Sequence, residues 1–139
     1  MTKAAQPDTP FGVQLDLRSG VPVYRQIMDQ VLAGIASGRL VSGDQLPTVR
    51  QLAVDLSINP NTVIRAYREL EIRGFLDTHQ GSGTFIGTQR VEQDGVERQR
   101  KLDGIVSDLV ARAGAEGFTA LQVLERLQGL LAEQKPRRN

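Results

Sequence analysis

Apolar residues recur every third or fourth position in several stretches of the chain, and that rhythm predicts a mostly helical protein. The first stretch carries Val23, Ile27, Val31 and Ile35 at a spacing of four, with Met28 and Leu32 beside them. Pro22 suits its first turn and Gly38 its end. Ahead of it, Val13, Leu15 and Leu17 alternate with Gln14, Asp16 and Arg18, which predicts a short extended segment closed by Ser19-Gly20. Residues 1–12 hold two prolines and no apolar run, so they are expected to be a flexible tail and neither a signal peptide nor a membrane anchor.

Leu40 to Leu46 is a connector with a turn signal at Ser42-Gly43-Asp44. Thr48 with Gln51 three residues on is a capping-box pattern, so a second helix is expected to start there and run to about Leu56. Ser57 and Ile58 turn the chain. Asn59 is a good N-cap and Pro60 a good first helical residue, so a third helix follows to Arg73, with Gly74 closing it. Helix, short turn, helix is the spacing of a helix-turn-helix.

Phe75-Leu76-Asp77-Thr78 and Thr84-Phe85-Ile86 are short strand-like runs joined by the glycine-rich His79-Gln80-Gly81-Ser82-Gly83. An isolated hairpin is marginal in water, so this one must lean on the helices as a wing. After Gly87-Thr88 the charge is dense from Arg90 to Lys101, and Leu102, Ile105, Val106, Leu109, Val110 and Ala113 mark one helical face. Gly114 and Gly117 bracket a break. Thr119 and Gln122 form a second capping box, and Leu121, Leu124, Leu127 and Leu131 stripe a final helix.

The expected fold is α+β, mostly helical with a small β-wing. Residues 1–12 form a tail, 13–87 a winged helix-turn-helix, 88–134 a short two-helix dimerisation region and 135–139 a loose basic tail. Two short helices on a linker have little of their own chain to pack against, so the simplest cover for Leu102, Ile105, Val106, Leu109, Val110, Leu121, Leu124, Leu127 and Leu131 is a second copy.

Composition narrows the chemistry. A chain of 139 residues holds one domain and a modest appendage. It has no cysteine, which excludes disulfides and thiolate metal sites, and its one histidine, with no HExxH or paired-histidine pattern, argues against a metal or nucleophilic site. Gly81-Ser82-Gly83 has Ile86 where a dinucleotide fingerprint needs its third glycine, and there is no phosphate loop. No enzyme, metal or cofactor is expected. A net charge of +1 announces no nucleic acid by itself, so any basic residues serving DNA must be well placed and not merely numerous.

Several phrases resemble the DNA-binding domain of the GntR superfamily: Pro22-Val23-Tyr24-Arg25-Gln26-Ile27, Gly43-Asp44-Gln45-Leu46-Pro47-Thr48-Val49-Arg50-Gln51-Leu52-Ala53, Asn61-Thr62-Val63-Ile64-Arg65-Ala66-Tyr67-Arg68-Glu69-Leu70 and Gln80-Gly81-Ser82-Gly83-Thr84-Phe85-Ile86. The resemblance runs from about Leu15 to Gly87, and the short helical remainder is similar to the YtrA-like subfamily, whose tail dimerises. It implies a sequence-specific transcriptional regulator, most simply a repressor in a bacterial cytoplasm. It also implies a DNA-contacting arginine at Arg50, a contact at Thr62, and a minor-groove contact at the wing tip through Gln80 and Gly81. Some relatives carry arginine where this chain has Pro60, so base readout at that position is either lost or shifted to Asn61 and Arg65.

The residues support that reading independently. A recognition helix enters the major groove by its N-terminal end, so residues 59–68 should face DNA. Arg65 and Arg68 are the only charges there, while Asn59, Asn61 and Thr62 can bond phosphates or base edges. Thr48 is first a cap and also stands among the expected DNA contacts. A two-fold dimer presents two such helices and predicts double-stranded DNA with an inverted-repeat operator as partner. Two rivals stay open: an effector-responsive form with an unidentified small-molecule effector, and a winged-helix protein-interaction module, which predicts apolar or acidic residues on the exposed helix face.

Overall fold

The computed structural model describes residues 11–88 and 95–133. The tail expected over 1–12 lies outside them except for Phe11 and Gly12, and the basic tail expected over 135–139 lies outside them entirely. The element order is α1 (Val23–Ala36), β1 (Gln45–Leu46), α2 (Val49–Leu56), α3 (Pro60–Ile72), β2 (Leu76–His79), β3 (Gly83–Ile86), α4 (Gly95–Ala115) and α5 (Ala120–Glu133). Packing divides the described residues into two units, one on each side of residues 89–94. No described helix is long and apolar enough to cross a membrane.

In the first unit, α1 turns Ile27, Met28 and Val31 inward, α2 adds Leu52 and Ala53, and α3 adds Val63, Ala66, Tyr67 and Leu70. These side chains meet Leu40, Leu46, Leu76 and Ile86 in one aliphatic core. Ser57 takes a left-handed conformation (φ 57°) between α2 and α3, which turns the chain sharply enough for both helices to share that core. The Tyr67 hydroxyl donates to the Pro47 carbonyl at 2.7 Å inside the core. Burial pushes its pKa up, so the hydroxyl stays protonated and keeps donating. That bond ties the middle of α3 to the residues just before α2.

The sheet has three strands in the order β1-β3-β2, all antiparallel. The hairpin pairs Leu76 with Ile86, Asp77 with Phe85, Thr78 with Thr84 and His79 with Gly83. β1 lies in the stretch Leu40 to Leu46, expected from the sequence to be a connector. It pairs Gln45 with Phe85 and Leu46 with Thr84, and two residues are too few to show an alternation. Gly87 seats the returning strand: its N–H donates to the Phe75 carbonyl at 2.8 Å, and a Cβ there would stand 2.9 Å from the Gly74 carbonyl oxygen.

Two further details depart from the sequence-based expectation. Phe11, assigned to the tail, is buried in the core. A single ring between Pro10 and Gly12 carries no periodic signal, yet its burial removes roughly 150–250 Å² from water. The segment holding Val13, Leu15 and Leu17 forms no strand. Its backbone is bonded instead by two glutamines one turn apart on α1. Gln30 donates to the Gln14 carbonyl at 2.7 Å and accepts from its N–H at 3.0 Å. Gln26 does the same for Asp16 at 2.9 and 2.8 Å, and also donates to the Val21 carbonyl. Each side-chain amide thus stands in for the neighbouring strand, which is how the buried Gln26 satisfies its polar atoms.

In the second unit, α4 begins seven residues before the apolar stripe that announced it. Its charged first turns are held by Glu97–Arg100 at 3.8 Å and by Gln99 donating to Asp103 at 3.1 Å. Gly117 (φ 91°) lies within the link from α4 to α5. Thr119 then caps α5 reciprocally with Gln122, at 2.8 and 3.1 Å. Neither helix has a buried residue.

Candidate nucleic-acid interface

The N-terminus of α2 is built by Thr48. Its hydroxyl oxygen accepts from the Gln51 N–H at 3.0 Å while Gln51 Oε1 accepts from the Thr48 N–H at 3.0 Å. These two bonds satisfy donors that the helix itself leaves unpaired. Arg50 follows in the first turn, exposed, on a helix with no acidic residue there. We expect Thr48→Ala to lower stability by about 1 kcal/mol, read as a drop in the urea midpoint. An unchanged midpoint would mean that the cap contributes nothing net.

At the start of α3, Asn59 Oδ1 accepts from the Asn61 N–H at 2.8 Å and Pro60 fills the first helical position. The helix is sharply two-faced. Val63, Ala66, Tyr67 and Leu70 are in the core, whereas Asn61, Ile64, Arg65 and Arg68 are exposed and Thr62 is half-buried. Asn59, Asn61, Thr62 and Arg65 line one shallow cleft together with Val23 and Tyr24 of α1. Arg68 lies one turn further along; Arg50, Gln80 and Gly81 are not among the residues lining that cleft.

Charge on this surface is uncompensated. Among the described residues the ion pairs are Arg25–Asp29, Glu69–Arg73, Glu97–Arg100 and Arg126–Glu133. Arg50, Arg65 and Arg68 belong to none of them, so their donors stay available to an anion. The unpaired N–H groups at the start of α3 add the positive end of the helix dipole beside Arg65.

At the wing tip the Ser82 N–H donates to the His79 carbonyl at 2.9 Å, closing a turn whose third residue, Gly81, has φ +84°. A side chain at Gly81 would be strained there. Gln80 and Gly81 are both exposed. The tip is braced from β1, where Gln45 Nε2 donates to the Ser82 carbonyl at 3.0 Å, and by the His79 ring set edge-on to Phe85 with centroids 5.3 Å apart.

The sequence reading missed three residues that shape this surface: Tyr24, beneath Arg65; Gln45, which holds the tip; and Gln26, which holds the segment leading into α1. Only Gln26 gave a signal, as a polar residue on the apolar side of a helix. Among the described residues no group of three or more histidines, cysteines or carboxylates could hold a metal ion.

A family model described as bacterial regulatory proteins of the gntR family matches residues 23–86. The HTH-type transcriptional repressor YtrA of Bacillus subtilis (strain 168) is 46% identical over 74 residues, 53% of this chain and 57% of that protein. An HTH-type transcriptional regulator of the same organism, YhcF, is 32% identical over 111 residues, 80% of this chain and 91% of that protein. Among solved structures, YtrA from Sulfolobus acidocaldarius, a GntR-family transcription factor, superposes with a TM-score of 0.53 at 33% identity, covering 71% of this chain and 97% of that one.

Proposed function

Because the chain belongs to the gntR family of bacterial regulatory proteins, and is therefore a winged-helix transcriptional regulator and not an enzyme, we propose that it acts as a homodimeric repressor on an inverted-repeat operator. α3 enters the major groove with Asn61, Thr62, Arg65 and Arg68; Thr48 and Arg50 at the start of α2 meet the flanking backbone; Gln80 and Gly81 at the wing tip reach the minor groove. The observation that carries this reading is the outer face of α3. Over residues 60–68 it presents two exposed arginines with no carboxylate partner among the described residues and no acidic residue, beside one exposed large apolar side chain, Ile64, where a protein-interaction face would be mainly apolar or acidic.

The dimer is supported by the second unit. Leu102, Ile105, Val106, Leu109, Leu121, Leu124, Leu127 and Leu131 are all exposed, and Phe118 with them. Val110 is partly covered. A run of large apolar side chains left open to water marks an interaction surface, and a second copy presents the same surface in return. Repression then follows sterically, from a dimer seated on promoter DNA. The reading invokes no effector.

The test is a titration of the purified protein against labelled DNA from upstream of its own gene, with unrelated DNA of equal length, at several salt concentrations. We expect a preference of about a thousandfold or more, weakening as salt rises. Arg65→Ala should cost about 1–3 kcal/mol of that affinity without unfolding. No binding to either DNA at low salt, from a folded dimer, would overturn the reading in favour of a protein-interaction module.

A further inference from the structure

Arg65 is exposed, yet it is held. Its guanidinium carbon lies 3.8 Å from the centroid of the Tyr24 ring, well inside the distance at which a cation is attracted to an aromatic face. Tyr24 is the second residue of α1 and is itself half-buried against the core, so the ring is a fixed platform. We propose that Tyr24 is a positioning residue for DNA recognition: its ring orders the Arg65 guanidinium in the DNA-free protein while leaving that group's donors unspent.

The kind of contact matters. A guanidinium carries five N–H donors in its plane and none on its faces. A carboxylate partner would order the group by occupying those donors and neutralising the charge. A ring beneath the plane orders it through the face and leaves both donors and charge for an acceptor. Among the described residues no hydrogen bond or ion pair is recorded for the Arg65 side chain, which fits this division of labour. Arg68, one turn along, has no such platform among the described residues and is immobilised only when DNA binds. Ordering a long side chain only at binding weakens the complex, and an arginine already in place avoids that loss.

This role depends on α3 being the DNA-contacting helix, and the experiment separates the two. The probe is a duplex enriched from a randomised pool by the wild-type protein, and affinities are compared in a double-mutant cycle of Tyr24→Leu with Arg65→Ala, with thermal midpoints alongside. A contact of about 1 kcal/mol corresponds to a change of roughly fivefold. We expect Tyr24→Leu to weaken binding by about three- to tenfold and to have no further effect once Arg65 is alanine. Its effect should add fully to that of Arg68→Ala. Tyr24→Phe, which keeps the ring, should bind as wild type does. In the DNA-free protein the Arg65 Nε–H should relax like the ordered backbone, a readout that survives if Tyr24→Leu fails to fold.

Additive losses in the Tyr24–Arg65 cycle, a Tyr24→Phe as weak as Tyr24→Leu, or a freely mobile Arg65 Nε–H would overturn the positioning role while leaving DNA binding by α3 intact. Failure of the wild-type protein to enrich any sequence would overturn the DNA reading itself, and the role of Tyr24 with it.

Discussion

Replacing Leu109 and Leu124 together with glutamate is expected to turn the proposed dimer into a monomer and to lower affinity for the proposed two-half-site operator on the order of a hundredfold. The two leucines lie on different helices of the second unit and are 41% and 50% exposed. Because neither is buried within its own chain, the substitutions cost the fold of one protomer little. Between protomers they matter far more. Apolar contact is worth about 25 cal/mol for each Å² removed from water, and burying an unpaired carboxylate reverses that gain several times over. Each change appears twice in a two-fold interface, so the double variant places four carboxylates in it.

The loss at the operator follows from linkage alone. In a dimer the second half-site is bound as an intramolecular event, at a high effective concentration, and a monomer forgoes that advantage without losing any contact to DNA. The variant should therefore bind an isolated half-site as the wild-type protein does. Sedimentation equilibrium and titration on full and half operators read both effects. A variant that stays dimeric would place the interface elsewhere; a monomer with undiminished affinity would mean that the operator has one half-site.

Much of this architecture could be read from the residues because its signals are local. Thr48 with Gln51, Asn59 with Pro60, and Thr119 with Gln122 name helix starts through bonds spanning two or three residues, and the structure forms each cap. The apolar rhythm of α3 likewise separates Val63, Ala66, Tyr67 and Leu70 from Asn61, Arg65 and Arg68 before any packing is known. What escaped notice depends on partners far along the chain. β1 exists because β3, some forty residues on, lies beside it. Phe11 is ordered by a core it does not help to announce, and Gln26 and Gln30 act as a strand only once residues 14 and 16 run along α1. The Tyr24–Arg65 stack is of the same kind: an aromatic near a helix start and an arginine on another helix give no sign of each other until both helices share one core. In the second unit the stripe was visible but the start of α4 was not, since its first turns carry charge on every side.

Leu70→Ala is expected to destabilise the first unit by about 2–5 kcal/mol. The side chain is fully buried in α3, within the cluster that joins α1, α2 and the sheet. Truncation removes its transfer free energy and leaves a cavity that the surrounding side chains of the cluster fill only in part. For a unit of this size each kcal/mol moves the thermal midpoint by about 4–8 °C, so the midpoint should fall by about 8 °C or more. A domain of ordinary stability holds only about 5–15 kcal/mol in all, which leaves the variant folded at low temperature but near its limit. Arg68→Ala, two residues away on the exposed side of the same helix, should do the opposite: stability within about 0.5 kcal/mol of wild type, and operator affinity reduced with a shallower salt dependence. Calorimetry and salt-dependent titration of the two variants therefore separate the inner face of α3, which holds the fold, from the outer face, which is proposed to read DNA. If Leu70→Ala melts like the wild type, the packing described for α3 is wrong; if Arg68→Ala unfolds the protein while the affinity of its folded fraction is unchanged, the division between the faces fails.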